Sequence, residues 1–122
     1  MPWIYKQSTG ELSRNGVIIT RNGYSGKGEG KNNPSLQAWR SVGPIPRGTY
    51  TIGSPRNSSH LGNYAMPLTP NTGTNTFGRD AFYIHGDSIR RPGTASEGCI
   101  ILGPDIRARI WASGDRALQV VE

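Results

Sequence analysis

One stretch of the chain concentrates residue types that can do covalent chemistry. It reads His85-Gly86-Asp87-Ser88-Ile89-Arg90-Arg91-Pro92-Gly93-Thr94-Ala95-Ser96-Glu97-Gly98-Cys99-Ile100, and it holds the only cysteine and one of the two histidines. A histidine that ends one strand and a cysteine that opens the next can lie within hydrogen-bond reach. The imidazole can then take the thiol proton and leave a thiolate, the reactive form of cysteine. Gly98, lacking a side chain, lets a substrate carbonyl approach the Gly98 and Cys99 N–H groups, which can serve as an oxyanion hole. Ser96 or Asp87 can orient His85, as the third member of a triad does. Each residue also has a plainer reading. A lone cysteine is often a small buried hydrophobe, Asp87 can cap the turn after His85, and Ser96-Glu97-Gly98 can be an ordinary turn. His60 lies in a polar loop and reads as solvated without a role. A zinc site from His60, His85, Asp87 and Cys99 matches no compact ligand spacing, so no metal is expected.

The elements that must carry these residues are mostly strands. Ala81-Phe82-Tyr83-Ile84-His85 and Cys99-Ile100-Ile101-Leu102 have strand composition. Residues 3–7, 17–20, 49–52 and 117–121 read likewise, with turn signals at Thr9-Gly10 and Asn15-Gly16 and a short pairing segment near Leu12. Ala65-Met66-Pro67-Leu68 reads as a short edge strand because of Pro67. Residues 22–35, 53–63 and 69–79 read as polar loops. The one helix expected is Pro104–Ala112, with Pro104 at its first position, Asp105 in the first turn, Ile106 and Ile110 four apart, and Gly114 at its end. A mostly β domain with one short C-terminal helix follows, a small sandwich or barrel.

Composition agrees. The chain has 122 residues, enough for a single domain spanning 1–122, and seventeen glycines and nine prolines disfavour a helical bundle. No apolar run approaches the ~20 residues that span a bilayer, so membrane insertion is not expected. A single cysteine excludes an internal disulfide. The N-terminus, Met-Pro-Trp-Ile-Tyr-Lys, shows no apolar signal segment. The expected protein is made in the cytoplasm and either stays there or leaves by another route. Fourteen Lys and Arg against eight Asp and Glu give a net charge of +6, which favours polyanionic partners. A non-catalytic basic β-module that binds nucleic acid or cell-wall polymer is therefore the alternative to an enzyme. The basic residues are scattered, however, and form no phosphate-tracking stripe, so nucleic acid is disfavoured. A papain-like protease is disfavoured by residue order, because its cysteine precedes its histidine.

The joint pattern, strand–His85-Gly86-Asp87, a loop, then Ser96-Glu97-Gly98-Cys99-Ile100-Ile101-Leu102, resembles the active-site motif of the L,D-transpeptidases (the YkuD-like family). Gly43-Pro44-Ile45-Pro46-Arg47-Gly48-Thr49-Tyr50-Thr51-Ile52 is similar to that family's turn and following strand. Residues 104–121 are similar to its closing helix and strand, and residues 3–25 to its opening strands. The family's histidine before Gly-Cys is Glu97 here, so a role for that histidine does not transfer. The wording "IHGDS…GTASEGCII" and the lack of wall-binding modules resemble a compact branch of type VI secretion effectors. The resemblance implies attack by Cys99 on the peptidoglycan stem tetrapeptide, between its third residue and the terminal D-alanine, with His85 as base and no cofactor. It implies L,D-carboxypeptidase, D-amino acid exchange or crosslinking activity, and delivery as an antibacterial toxin into a rival's periplasm. A secretion machine and a cognate immunity protein are then the expected partners. Arg79, Arg90 and Arg91 flank the expected site and are expected to clamp the carboxylates of the stem peptide, unless they are merely solvated loop cations.

Overall fold

Short β-branched and aromatic runs, each closed by a Gly, Asn or Pro turn, set the pattern of the fold. The computed structural model describes residues 2–122. Ten strands form in chain order: β1 (Trp3–Lys6), β2 (Leu12–Arg14), β3 (Val17–Thr20), β4 (Tyr24–Ser25), β5 (Gly48–Ile52), β6 (Arg56–Ser58), β7 (Gly62–Pro70), β8 (Phe82–His85), β9 (Ile100–Ile101) and β10 (Ala117–Val121). The helix α1 (Pro104–Ala112) lies between β9 and β10. Asn15 and Gly16 both take positive φ in the β2–β3 turn, the geometry that an Asn-Gly hairpin needs.

The strands join in one sheet, in the order β3-β2-β1-β10-β5-β7-β8-β9-β4, with β6 paired to β7 off this path. The mostly β architecture with one short C-terminal helix is as expected, and the sandwich-or-barrel expectation resolves to a single open sheet. That sheet bends round one core, because Trp3, Tyr50, Ile84, Ile100, Ile110 and Leu118, drawn from across its width and from α1, pack in one cluster. At about 25 cal/mol per Å2 of apolar surface, burial of such a cluster is the main stabilising term.

Three loop expectations need correction. The 22–35 segment carries β4, which is fully buried and pairs with β9, and 3-10 turns at Gly28–Gly30 and Pro34–Leu36. Its glycines admit tight backbone approach. A Cβ on Gly26 would lie 2.3 Å from the Gly30 carbonyl oxygen. The 53–63 loop carries β6, and β7 runs on through Pro70. Pro67 is not at an edge, since β7 lies between β5 and β8 and Pro67 pairs with Tyr83. The Pro67 carbonyl accepts from the Gly53 N–H at 2.8 Å, just past the end of β5. The missing Pro67 N–H thus faces the side where β5 has already ended, and no bond to β8 is lost.

Two of the pairings are parallel, β1 with β10 and β8 with β9. The second positions the two candidate residues, His85 and Cys99. Ile84 opposes Ile100 and both are fully buried, so by strand alternation His85 and Cys99 share the other face. They are two residues out of register on adjacent strands, a diagonal of roughly 8 Å between backbones, which an imidazole and a thiol can close.

Candidate active site

A cleft of about 570 Å3 opens on that face, and its walls include Cys99, His85, Arg40, His60, Asp80 and Tyr83. His85 is buried, and its Nδ1 lies 2.9 Å from the Gly86 carbonyl oxygen. A carbonyl can only accept, so Nδ1 carries the proton and Nε2 is left with its lone pair. Burial holds the imidazole below its ordinary pKa, against the opposing pull of the Gly86 carbonyl, and the nearby Arg107 guanidinium adds to the depression. The resting ring is a neutral base.

Cys99 is half-buried, and its thiol points at the Ala81 carbonyl oxygen, 3.7 Å away. Burial, helped by the Glu97 carboxylate and opposed by the Tyr83 N–H and the Arg79 guanidinium, pushes the thiol up to about 11. The expected thiolate is therefore not the resting form. Desolvation outweighs the stabilising partners, and the sulfur is bonded to Ala81 rather than to the imidazole.

The loop that joins the two residues is built by side chains the sequence presented as alternatives. The Asp87 carboxylate accepts from the Tyr24 hydroxyl at 2.6 Å, the Ser88 N–H at 2.8 Å and the Gly93 N–H at 3.0 Å. These bonds keep it ionised, below the usual carboxylate range, against a partial desolvation that opposes them. The Tyr24 hydroxyl also accepts from the Ala95 N–H at 2.9 Å, and the Lys31 ammonium sits 4.3 Å above its ring. Ser96 is fully buried. Its Oγ accepts from the Gly26 N–H (2.9 Å) and the Gly98 N–H (3.1 Å) and donates to the Cys99 carbonyl (2.6 Å). Neither Ser96 nor Asp87 orients His85; the Gly86 carbonyl does. The Gly98 N–H is already engaged, which leaves the Cys99 N–H as the one member of the expected oxyanion pair with no acceptor among the described residues.

Arg79 also departs from expectation. It is buried, and its guanidinium donates to the carbonyls of Gln37, Pro44 (2.8 Å), Gly43 (2.9 Å) and Glu97 (3.3 Å). With its donors spent on backbone, it braces the 37–44 segment against the Cys99 turn and is not placed as a carboxylate clamp. Arg90 and Arg91 are exposed and lie outside the walls of the cleft.

A second buried arginine, Arg107 of α1, escaped the sequence reading. It donates to the carbonyls of Leu102 (3.0 Å) and Asn63 (2.7 Å). The two arginines explain the two glycines of the motif. A Cβ on Gly98, whose φ is +132°, would lie 2.4 Å from Arg79 Nη2, and one on Gly86 would lie 2.7 Å from Arg107 Nη2. Also missed were Tyr24, an aromatic in an otherwise polar loop and so a visible signal, and Arg40, which no local pattern marks; His60, read from the sequence as solvated without a role, lines the cleft.

This architecture is similar in fold to that of an L,D-transpeptidase. The fold is similar to that of Mycobacterium tuberculosis L,D-transpeptidase 1, with a TM-score of 0.54 and 24% identity, over 98% of this chain and 60% of that one. It is also similar to Bdellovibrio bacteriovorus Bd1075, with a TM-score of 0.62 and 16% identity, over 98% of this chain and 47% of that one. The chain thus spans about half to three-fifths of the length of these two proteins. Residues 19–121 match the family model of the Tlde1 domain, and the chain belongs to that family. Among curated protein sequences none matches it significantly.

Proposed function

We propose that this protein is a cysteine-dependent acyl-transfer enzyme of the bacterial cell wall, acting on the peptidoglycan stem tetrapeptide. One observation carries the reading. The Gly86 carbonyl holds His85 in the tautomer whose Nε2 is a base, on the sheet face and in the cleft that also hold Cys99. Membership of the Tlde1 domain family and the L,D-transpeptidase fold support the choice of substrate.

The chemistry follows from a neutral thiol and a neutral imidazole. Rotation of the Cys99 side chain away from Ala81 brings Sγ toward Nε2. As Sγ attacks the carbonyl carbon of the third stem residue, its proton passes to Nε2. The carbonyl oxygen becomes an oxyanion, and the Cys99 N–H donates to it. Collapse breaks the C–N bond, the imidazolium returns the proton to the leaving amine, and D-alanine departs from a thioester. Water, a D-amino acid or a second stem amine then attacks the thioester while Nε2 takes its proton. These three acceptors give carboxypeptidase, exchange and crosslinking outcomes from one intermediate.

The test is mass spectrometry of purified tetrapeptide muropeptides incubated with wild type and with Cys99→Ala, each with and without an added D-amino acid. The expected result is loss or replacement of D-alanine by wild type alone. Equal product from Cys99→Ala would end the mechanism. The family membership further supports action as an antibacterial toxin in the periplasm of a rival cell, countered in the producer by an immunity protein that covers the cleft. On that reading, expression behind an export signal lyses cells and expression without one does not, and Cys99→Ala is harmless in both. Lysis by the non-exported form would contradict it.

A further inference from the structure

The substrate of the proposed reaction carries a free carboxylate on the residue that leaves. That carboxylate lies one residue, roughly 3.5 Å of chain, beyond the scissile carbonyl. Whatever binds it must therefore stand in the same cleft as Cys99. Four cationic candidates can be compared. Arg79 lines the cleft but is buried and spends its guanidinium on backbone carbonyls. Arg90 and Arg91 are outside the cleft. Arg40 lines it, is exposed, and takes part in no ion pair among the described residues.

Arg40 is also anchored. Its Nη2 donates to the Gly78 carbonyl at 2.9 Å, which fixes one corner of the guanidinium and leaves its other N–H groups for a ligand. Gly78 turns its carbonyl there through a left-handed backbone, φ +73°, and Ser41, next to Arg40 and also in the cleft wall, has φ +63°. A non-glycine residue in that region is sustained only where the surroundings impose it, and such residues gather at functional sites. Asp80 and Glu97 line the same cleft. Glu97 is already opposite Lys27, at 3.9 Å, so the cleft presents one unpaired guanidinium and separate acidic groups, a pattern suited to a peptide with both charges.

We infer that Arg40 is the carboxylate-binding and specificity-determining residue of the cleft, holding the terminal carboxylate of the D-amino acid that leaves. The inference rests on the reaction proposed above and names the part of the substrate that the cleft selects. A guanidinium held at one corner suits a carboxylate through paired N–H donors. The enzyme should accordingly discriminate between a peptide that ends in a free acid and the same peptide ending in a carboxamide.

The experiment uses two ligands, the stem tetrapeptide and its C-terminal carboxamide, in two arms. Binding is measured by calorimetry in the Cys99→Ala background, where nothing is consumed, and turnover is measured in the wild-type background. The free acid is expected to bind at least tenfold tighter than the amide. Arg40→Ala should remove that ratio by weakening the acid alone, and Arg40→Lys should restore part of it. In turnover the same ratio should appear in kcat/KM. An unchanged ratio in Arg40→Ala overturns the inference, as does equal weakening of both ligands, which would put Arg40 on another part of the peptide. If wild type cleaves acid and amide equally, the reaction stands and the inference falls. If wild type cleaves neither, yet the binding ratio depends on Arg40, the carboxylate site stands and the proposed reaction falls. Failure of both ligands to bind at millimolar concentration overturns both.

Discussion

Replacing Ser96 by alanine separates two roles that one serine can play beside the proposed nucleophile Cys99. As a triad member it would act on His85. As a turn builder it would act on stability and leave the imidazole unchanged. The geometry commits it to the second. Its fully buried Oγ serves the Gly26 N–H, the Gly98 N–H and the Cys99 carbonyl. The alanine variant leaves all three without that partner. At about 1–3 kcal/mol for each buried group left unsatisfied, the lower bound is about 3 kcal/mol. That is a large part of the roughly 5–15 kcal/mol by which a domain of this kind is stable. With roughly 4 °C of Tm per kcal/mol at this size, the melting temperature should fall by at least about 10 °C. Differential scanning calorimetry reads this directly. The second readout is the pH profile of muropeptide turnover below the melting range. Its acid limb reports protonation of His85 and should not move, because the Gly86 carbonyl, not Ser96, holds Nδ1. A Tm within about 3 °C of wild type, or an acid limb displaced by a full unit, would refute the reasoning.

Other outcomes follow from the same geometry. Because burial holds the Cys99 thiol up to about 11, alkylation by iodoacetamide should be slow at pH 7 and rise about tenfold per pH unit toward pH 10; a rate plateau below pH 8 would mean a preformed thiolate. Burial holds the His85 pKa below its ordinary value, so the folded base stays neutral and turnover persists as pH falls through 6.5, declining only at lower pH where the folded ring protonates; a loss of turnover already centred above pH 6.5 would contradict this. The His85 contribution to stability instead starts to fall at about pH 6.5, where the unfolded chain takes up the proton first, and levels off once the folded ring is protonated. Gly98→Ala and Gly86→Ala should each cost stability and turnover, since a Cβ would lie 2.4 Å from Arg79 and 2.7 Å from Arg107, respectively; a wild-type melt for both would show that the arginines yield easily. Arg90→Ala and Arg91→Ala, outside the cleft, should leave KM for the stem peptide within about twofold, and a tenfold rise in either would return these residues to the site.

Much of this protein is legible in its sequence because much of it is local. The strand that ends in His85 and the run that follows Cys99 are marked by β-branched and aromatic residues, and α1 is marked by Pro104, Asp105 and Gly114. A strand-ending histidine and a strand-opening cysteine can come within reach on neighbouring strands, and the parallel register of β8 and β9 is what puts them on one sheet face. The spacing of His85-Gly86 and Ser96-Glu97-Gly98-Cys99 likewise points to thiol chemistry before any coordinate is known. β4 is hidden for the opposite reason. Tyr24 and Ser25 have too few apolar neighbours to show a period, and they form a strand only because β9 is there to pair with.

The roles of the arginines and the state of the thiol are matters of distance between segments far apart in the chain, and only the tertiary structure decides them. Nothing near Arg79 in sequence foretells that the carbonyls of Gln37, Gly43 and Pro44 will surround it, nor near Arg107 that the carbonyl of Asn63 will accept from it. Three flanking arginines look alike as text. One is buried and spent, two stand outside the cleft, and a fourth, Arg40, faces it. The thiol pKa follows the same logic, because desolvation depends on what packs around the sulfur, and strand propensity is silent about that. Residue type and period determined which chemistry is possible here. Burial and long-range contact determined which groups remain free to perform it.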